Sequence, residues 1–234
     1  MGEVEALQIP TEVYPPFLDD WKARSRALWF RGNLDLLRRP MISIVGARLV
    51  SPEGKHRAQR STRVSVQEGW VVVSGLAAGV DTIAHETALE CGGDTIAVLG
   101  TPIERCYPKE NEALKETIER RGLVLSQFPP GTGTRRWSFP ARNTLMAALS
   151  RLTLVIEAGE MSGTRYQVGD AVRMGRLVGL LRSLVDARYH WIEEAMSSGR
   201  GRVINDENDL RSVLREALKL SPPRVQEPTQ EELF

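Results

Sequence analysis

The chain has 234 residues, enough for one sizeable α/β domain with short appendages. Its 41% hydrophobic and 26% charged residues are ordinary for a globular protein, and a net charge of +1 excludes a globally basic nucleic-acid binder. The longest apolar runs, such as Trp70–Val73, are far too short for a membrane-spanning helix, and the acidic first residues lack the basic and apolar segments of a secretory signal.

Taken in chain order, residues 1–40 are punctuated by proline and carry Trp21, Trp29 and Phe30; they read as an extension that packs on the main domain. A regular alternation follows over 41–220. Short apolar runs predict strands at 41–46, 70–75, 94–99, 122–126, 152–157 and 176–181. Between and after them, helices are predicted near 53–68, 80–91, 109–121, 141–150, 163–174, 187–198 and 207–219. Fully apolar strands alternating with helices imply an α/β fold: a Rossmann-like, doubly wound, mostly parallel sheet with helices on both faces. Residues 221–234 start at Ser221-Pro222-Pro223 and form a polar tail too short to fold alone. Cys91 and Cys106 have no neighbours at zinc spacing and read as buried or half-buried thiols in a reducing cytoplasm. No metal and no cofactor is implied.

The chemistry-bearing residues follow the strands. Gly46-Ala47-Arg48 ends the first predicted strand, where open α/β sheets bind ligands; Gly46 lets backbone approach closely and Arg48 projects a cation. Alternatively Arg48 pairs with a nearby carboxylate. Ser74-Gly75 opens the run to Asp81, and the helix start there offers backbone amides to a phosphate. Asp81 reads as the cap of that helix. His85, four residues on, can face Asp81, as a structural pair rather than an acid–base couple, since no nucleophile is near. Lys109, in Tyr107-Pro108-Lys109-Glu110-Asn111, either reaches a ligand or is solvated. The stretch Phe128–Asn143 packs Arg135, Arg136 and Arg142 among Phe128, Trp137 and Phe139 with no acid. Guanidinium groups neutralise phosphates and rings offer stacking surfaces to unpaired bases, which is what a single strand requires. The plainer reading is a surface loop whose rings tuck into the core. A helix is expected to start near Ala141, with Pro140 setting its entry and Arg142 and Asn143 on its first turn. Ser162-Gly163-Thr164 can take a phosphate on amides and hydroxyls, or simply cap a helix.

In order and spacing these motifs, together with Leu99-Gly100-Thr101, Leu125–Gly131 and Val155–Gly163, resemble the DprA (Smf) family of bacterial DNA-processing proteins, over roughly 160 residues from Tyr14 to Arg176. The resemblance implies a non-enzymatic protein that binds single-stranded DNA, protects incoming strands, loads a RecA-type recombinase in natural transformation and forms a homodimer. It places Arg48 on a DNA phosphate, the Tyr107–Asn111 segment in a pocket wall, and Phe139, Arg142 and Asn143 in the pocket. Departures are the segment Gly163-Thr164-Arg165-Tyr166-Gln167, which replaces a more apolar, hydroxyl-rich helix start, and Leu180–Leu184, which replaces a Pro-Gly turn. The family's N-terminal helical module reads as truncated or absent, and no C-terminal winged-helix domain is expected. A rival is the related group of enzymes that release cytokinin from its nucleotide, but Trp137 stands where their glutamate would be. Another is a nucleotide-sensing module of a defence or mobile-element system, which fold alone does not exclude. Finally, Gln230, Leu233 and Phe234 resemble the short peptides that dock on the bacterial sliding clamp; an unstructured end is the alternative.

Overall fold

In the computed structural model, which describes residues 7–8, 18 and 27–220, each predicted apolar run becomes a strand of one sheet. The strands are β1 (Leu7–Gln8), β2 (Trp29–Gly32), β3 (Met41–Val45), β4 (Val71–Ser74), β5 (Thr95–Leu99), β6 (Leu123–Ser126), β7 (Leu152–Val155), β8 (Leu177–Leu181) and β9 (Gly201–Ile204). The helices are α1 (Pro52–Gln67), α2 (Val80–Glu90), α3 (Glu112–Arg121), α4 (Ser138–Leu149), α5 (Thr164–Arg173), α6 (Arg182–Asp186), α7 (His190–Ser197) and α8 (Glu207–Leu218). Among the described residues the sheet order is β1-β2-β6-β5-β4-β3-β7-β8-β9. Strands β3 to β9 run parallel, while β2 pairs antiparallel with β6 and with β1.

Every residue of β3 through β8 is buried, because helices cover both faces; this is why these strands read as unbroken apolar runs. Val71, Val73, Ile96 and Val98 face α4, α5 and α7, whereas Ile42, Ile44, Val72 and Leu154 face α1, α2 and α8. Helix α3 lies on the latter face at the other end of the sheet, with Ile118 against Ala97, Leu99 and Val124. From the residues before the first predicted strand, β2 joins the sheet, and Leu18, Leu28, Leu36 and Leu37 are buried in the same core as α4.

Three strands were not predicted. At β2 (Trp-Phe-Arg-Gly) and β9 (Gly-Arg-Val-Ile) an arginine interrupts a four-residue run, and both strands are only half-buried. β1 has two residues. Helix α4 starts three residues before the predicted Ala141: Pro140 falls inside the first turn, where a missing N–H costs nothing, and Ala141 N donates to Trp137 O at 3.1 Å. Cys91 is exposed rather than buried, and Cys106 is half-buried, its thiol pushed by burial up to about 11. The tail 221–234, with Gln230, Leu233 and Phe234, lies outside the described residues, as does Trp21. No helix among the described residues is long and apolar enough to cross a membrane.

Candidate functional site

After β3 the chain winds toward one edge of the sheet through β4, β5 and β6; after β7 it winds toward the other through β8 and β9. The reversal leaves a crevice beyond the carboxyl ends of β3 and β7, the position at which doubly wound sheets take ligands. The crevice is held open by a fixed frame. Ala47 N donates to Glu157 O at 2.7 Å, and the Glu157 carboxylate accepts from Ser51 N (3.2 Å) and Ser51 Oγ (2.7 Å). Ser51 in turn caps α1 by accepting from Gly54 N at 2.9 Å, with Pro52 in the first turn.

A pocket of about 330 Å³ fills this crevice. It brings together Gly46, Arg48, Phe139, Arg142, Asn143, Ser162 and Gly163, seven of the residues singled out in the sequence, from three separate loops and helix starts. Arg48 is exposed and has no hydrogen bond or ion pair with the described residues, so its charge is available at the mouth. Phe139 is half-buried and meets Tyr107 at a centroid distance of 5.5 Å. The Asn143 Oδ1 accepts from Arg142 Nε at 2.9 Å, which fixes Nδ2 as the outward donor of that amide. Ser162 is half-buried, and its Oγ accepts from Thr164 N at 3.2 Å, so the hydroxyl tightens the start of α5 while lining the pocket.

Arg142 lines the pocket, and much of its guanidinium is also engaged inside the protein. It is 5% exposed, and Nη1 donates to the carbonyls of Gly75 and of Val98, the latter at 2.9 Å. Helix α4 turns it inward across the carboxyl ends of β4 and β5, so it ties the sheet edge together and faces buried Asp81. Burial lowers its basicity, with Asp81 opposing and Arg48 adding to that shift. Asp81 is pushed above the usual carboxylate range by burial, against the pull of Arg142 and of its own hydrogen bonds.

Ser74 and Gly75 are likewise interior, not ligand-facing. Ser74 is fully buried and its Oγ donates to Ile44 O at 2.7 Å. Gly75 is a glycine because a Cβ there would lie 1.8 Å from Arg142 Nη1. The amides before α2 are spent inside the protein: Gly75 N (3.1 Å) and Ala77 N (3.4 Å) donate to Asp81 Oδ2, and Val80 N donates to Ala47 O at 3.1 Å. Gly79 makes this return possible, with φ of +82° and Ala47 O 2.3 Å from where a Cβ would be. Asp81 therefore folds back on the preceding turn and does not cap α2. Nor does it meet His85, whose Nδ1 lies 2.7 Å from Thr95 Oγ1. Thr95 spends its only hydrogen on Val72 O (2.8 Å), so Nδ1 carries the imidazole proton, and burial lowers the pKa of His85 to about 3.

Lys109, Arg135 and Arg136 are exposed but outside the pocket lining. The Tyr107–Phe139 contact brings the Lys109 segment beside the mouth. Trp137 is 53% exposed and meets buried Phe128 edge-on at 5.7 Å, so one ring anchors the loop and the other faces solvent. Among the further lining residues, Asp81, Tyr166 and Gln167 are polar and escaped the sequence reading as site residues. Tyr166 is 54% exposed, with Arg165 stacked 4.8 Å above its ring centroid. The signal for Gln167 was its spacing, four residues after Gly163 and three after Thr164, one face of a helix.

The sequence profile of DNA recombination-mediator protein A matches residues 5–219. The chain belongs to this family. It is 38% identical over 194 residues to DNA processing protein DprA of Streptococcus pneumoniae, covering 81% of this chain and 68% of the relative. It is 36% identical to the Smf protein of Synechocystis sp., covering 86% of this chain but 52% of that one. The chain thus spans about half to two thirds of the length of these curated relatives. The crystal structure of the pneumococcal protein superposes with a TM-score of 0.80 at 33% identity, over 89% of this chain and 74% of that one. The DNA processing protein A of Helicobacter pylori, whose structure concerns its single-stranded DNA binding mode, superposes with a TM-score of 0.79 at 27% identity, over 91% and 97%.

Proposed function

We propose that this protein binds single-stranded DNA in the crevice between β3 and β7, protects incoming strands, and passes them to a RecA-type recombinase as a cytoplasmic homodimer. The observation that carries the reading is the convergence of Arg48, Phe139, Asn143, Ser162 and Gly163 on one pocket at the topological switch point. An exposed cation at the mouth suits a phosphate, and half-exposed rings suit unpaired bases. Family membership supports the same ligand, as does the single-stranded DNA binding mode of the Helicobacter pylori protein. Arg135, Arg136 and Lys109 extend the basic surface beyond the pocket, as secondary backbone contacts.

Binding rather than catalysis is favoured because Asp81 is engaged with two backbone amides and His85 with Thr95. Asp81 lines the pocket, but its Oδ2 is spent on those amides rather than offered to a ligand as a base. The test is fluorescence anisotropy with a labelled single strand, the matching duplex and mononucleotides as competitors, across a salt series. Preferential single-strand binding, with log K falling by about 0.7 per phosphate contact against log salt, is expected. Mononucleotide binding without strand binding would overturn it. Docking of Gln230, Leu233 and Phe234 on a sliding clamp is a separate proposal, sunk if the full chain fails to retain the clamp in a pull-down.

A further inference from the structure

We infer that the outer face of α1 is a second nucleic-acid contact, a groove that takes the phosphate backbone of the strand where it leaves the crevice and reads no base; the inference rests on the single-strand reading. Arg57, Arg60 and Arg63 follow one another at three-residue intervals along this face, with His56 beside them, and all four are exposed. The helix buries Ala58, Ser61, Thr62 and Ser65 on its other side. Between the arginines and the start of α8 lies a hollow of about 400 Å³, whose lining includes Arg57, Arg60, Arg63, Gln59, Gln67 and Glu207. A second hollow of about 360 Å³ adjoins it, sharing Arg57, Arg60, Val64 and Glu207 and reaching Arg182 just past the end of β8.

Helix stability gives no reason for this arrangement. Like charges three residues apart on a helix repel, and cations help at a helix's last turn, where α1 has no basic residue. Arg60 pairs with Glu207 at 2.9 Å, but Arg57 and Arg63 have no ion pair among the described residues. Arg57 donates to Ser183 Oγ at 3.1 Å, a neutral contact that positions the guanidinium and leaves its charge uncompensated. On a chain of net charge +1, cations gathered along a concave surface focus their field on an anion. The lining decides which anion. Neither hollow is lined by Phe, Tyr or Trp, so the groove lacks the stacking rings that Phe139 and Tyr166 bring to the crevice. A phosphate needs only charge and donors, which guanidinium groups supply. The groove also begins in the right place. Helix α1 opens after Ser51, which the Glu157 carboxylate holds beside the mouth, three residues after Arg48. From His56 to Gln67 its outer face runs on for roughly 16 Å. A strand leaving Arg48 continues over it. An acidic polypeptide would meet the same charges; contiguity with the crevice favours the strand.

The experiment compares the double variant Arg57→Gln, Arg63→Gln, which leaves the Arg60–Glu207 pair in place, with the unsubstituted protein. Affinity is measured across a salt series for three labelled strands. These are the shortest oligo-dT that the unsubstituted protein binds measurably, that strand extended at both ends with dT, and that strand extended at both ends with abasic residues. For the unsubstituted protein the two extensions should raise affinity equally and steepen the log–log salt slope. In the variant the short strand should bind as before, while the slope for either extended strand should fall by about 1.4, from two lost phosphate contacts. Equal losses on short and extended strands, or a gain confined to the dT extension, would overturn the inference. An unchanged slope on the extended strands would also overturn it, and leave the groove to an acidic polypeptide. If the double variant does not fold, Arg63→Gln alone is put through the same comparison, with an expected change of about 0.7. Failure of the unsubstituted protein to bind any of the strands would instead remove the single-strand reading beneath it.

Discussion

Replacing Arg142 with alanine should unfold the protein more readily before it says anything about DNA. The guanidinium is 5% exposed, donates to two main-chain carbonyls at the ends of β4 and β5, and faces a buried acid. Hydrogen bonds to charged groups are worth about 1.5–3 kcal/mol each, but desolvation of the ion offsets much of that. What dominates is the remainder: the buried Gly75 and Val98 carbonyls left without their donor and Asp81 without its nearby positive charge, together about 3–5 kcal/mol. With a urea m-value of about 2 kcal/mol/M, the unfolding midpoint should fall by roughly 2 M. Adding Asp81→Asn should cost less in the Arg142→Ala background than alone, with a coupling of about 0.5–3 kcal/mol. Arg48→Ala, at an exposed position, is the control and should move stability by no more than about 0.5 kcal/mol. An Arg142→Ala midpoint equal to that of Arg48→Ala would refute the assignment of Arg142 to the frame of the sheet.

Three further outcomes follow from the geometry. His85 titrates at about 3 when folded against an ordinary value of 6.5, so the unfolded chain takes up its proton first as pH falls. Its contribution is therefore intact above pH 6.5 and is lost progressively toward pH 3; it amounts to about 2 kcal/mol lost by about pH 5, and His85→Gln should flatten that part of the stability–pH curve. An unchanged acid limb in the variant would show that the imidazole is not held neutral. Arg48→Glu should weaken single-strand binding and reduce the salt slope by about 0.7 while the urea midpoint stays in place. Phe139→Ala should cost about 1–3 kcal/mol of strand binding if its ring stacks on a base; a stability loss of that size or more with intact affinity would make the ring purely structural.

The parallel core was legible because burial on both faces leaves an unambiguous mark: β3 to β8 are short apolar runs with no charged residue and at most one Ser or Thr each. β2 and β9 were not, since at half-buried ends of a sheet an arginine is tolerated and the apolar pattern breaks. The site was legible to the extent that its residues follow strand ends: Gly46-Ala47-Arg48 and Ser162-Gly163 had to arrive at the carboxyl edge once the strands were parallel. Direction was not. That Arg142 points inward depends on where α4 begins, and Pro140 inside its first turn shifted that start by three residues. The partner of His85 lies ten residues on, across the start of β5, beyond the reach of helical spacing rules. Gly75 looked like a phosphate-binding glycine and proved to be the clearance for a guanidinium.

The central claim, that a single strand lies across the carboxyl edge at the β3–β7 reversal, is tested most directly by photo-crosslinking. A single strand substituted with iodouracil is bound, irradiated and digested, and the attachment sites are mapped by mass spectrometry. Attachment is predicted at the rings of the mouth, Phe139, Tyr166 and Tyr107, and should vanish in Arg48→Glu at moderate salt. Attachment confined to α7, α8 or the amino edge of the sheet, with these rings untouched, would contradict the account.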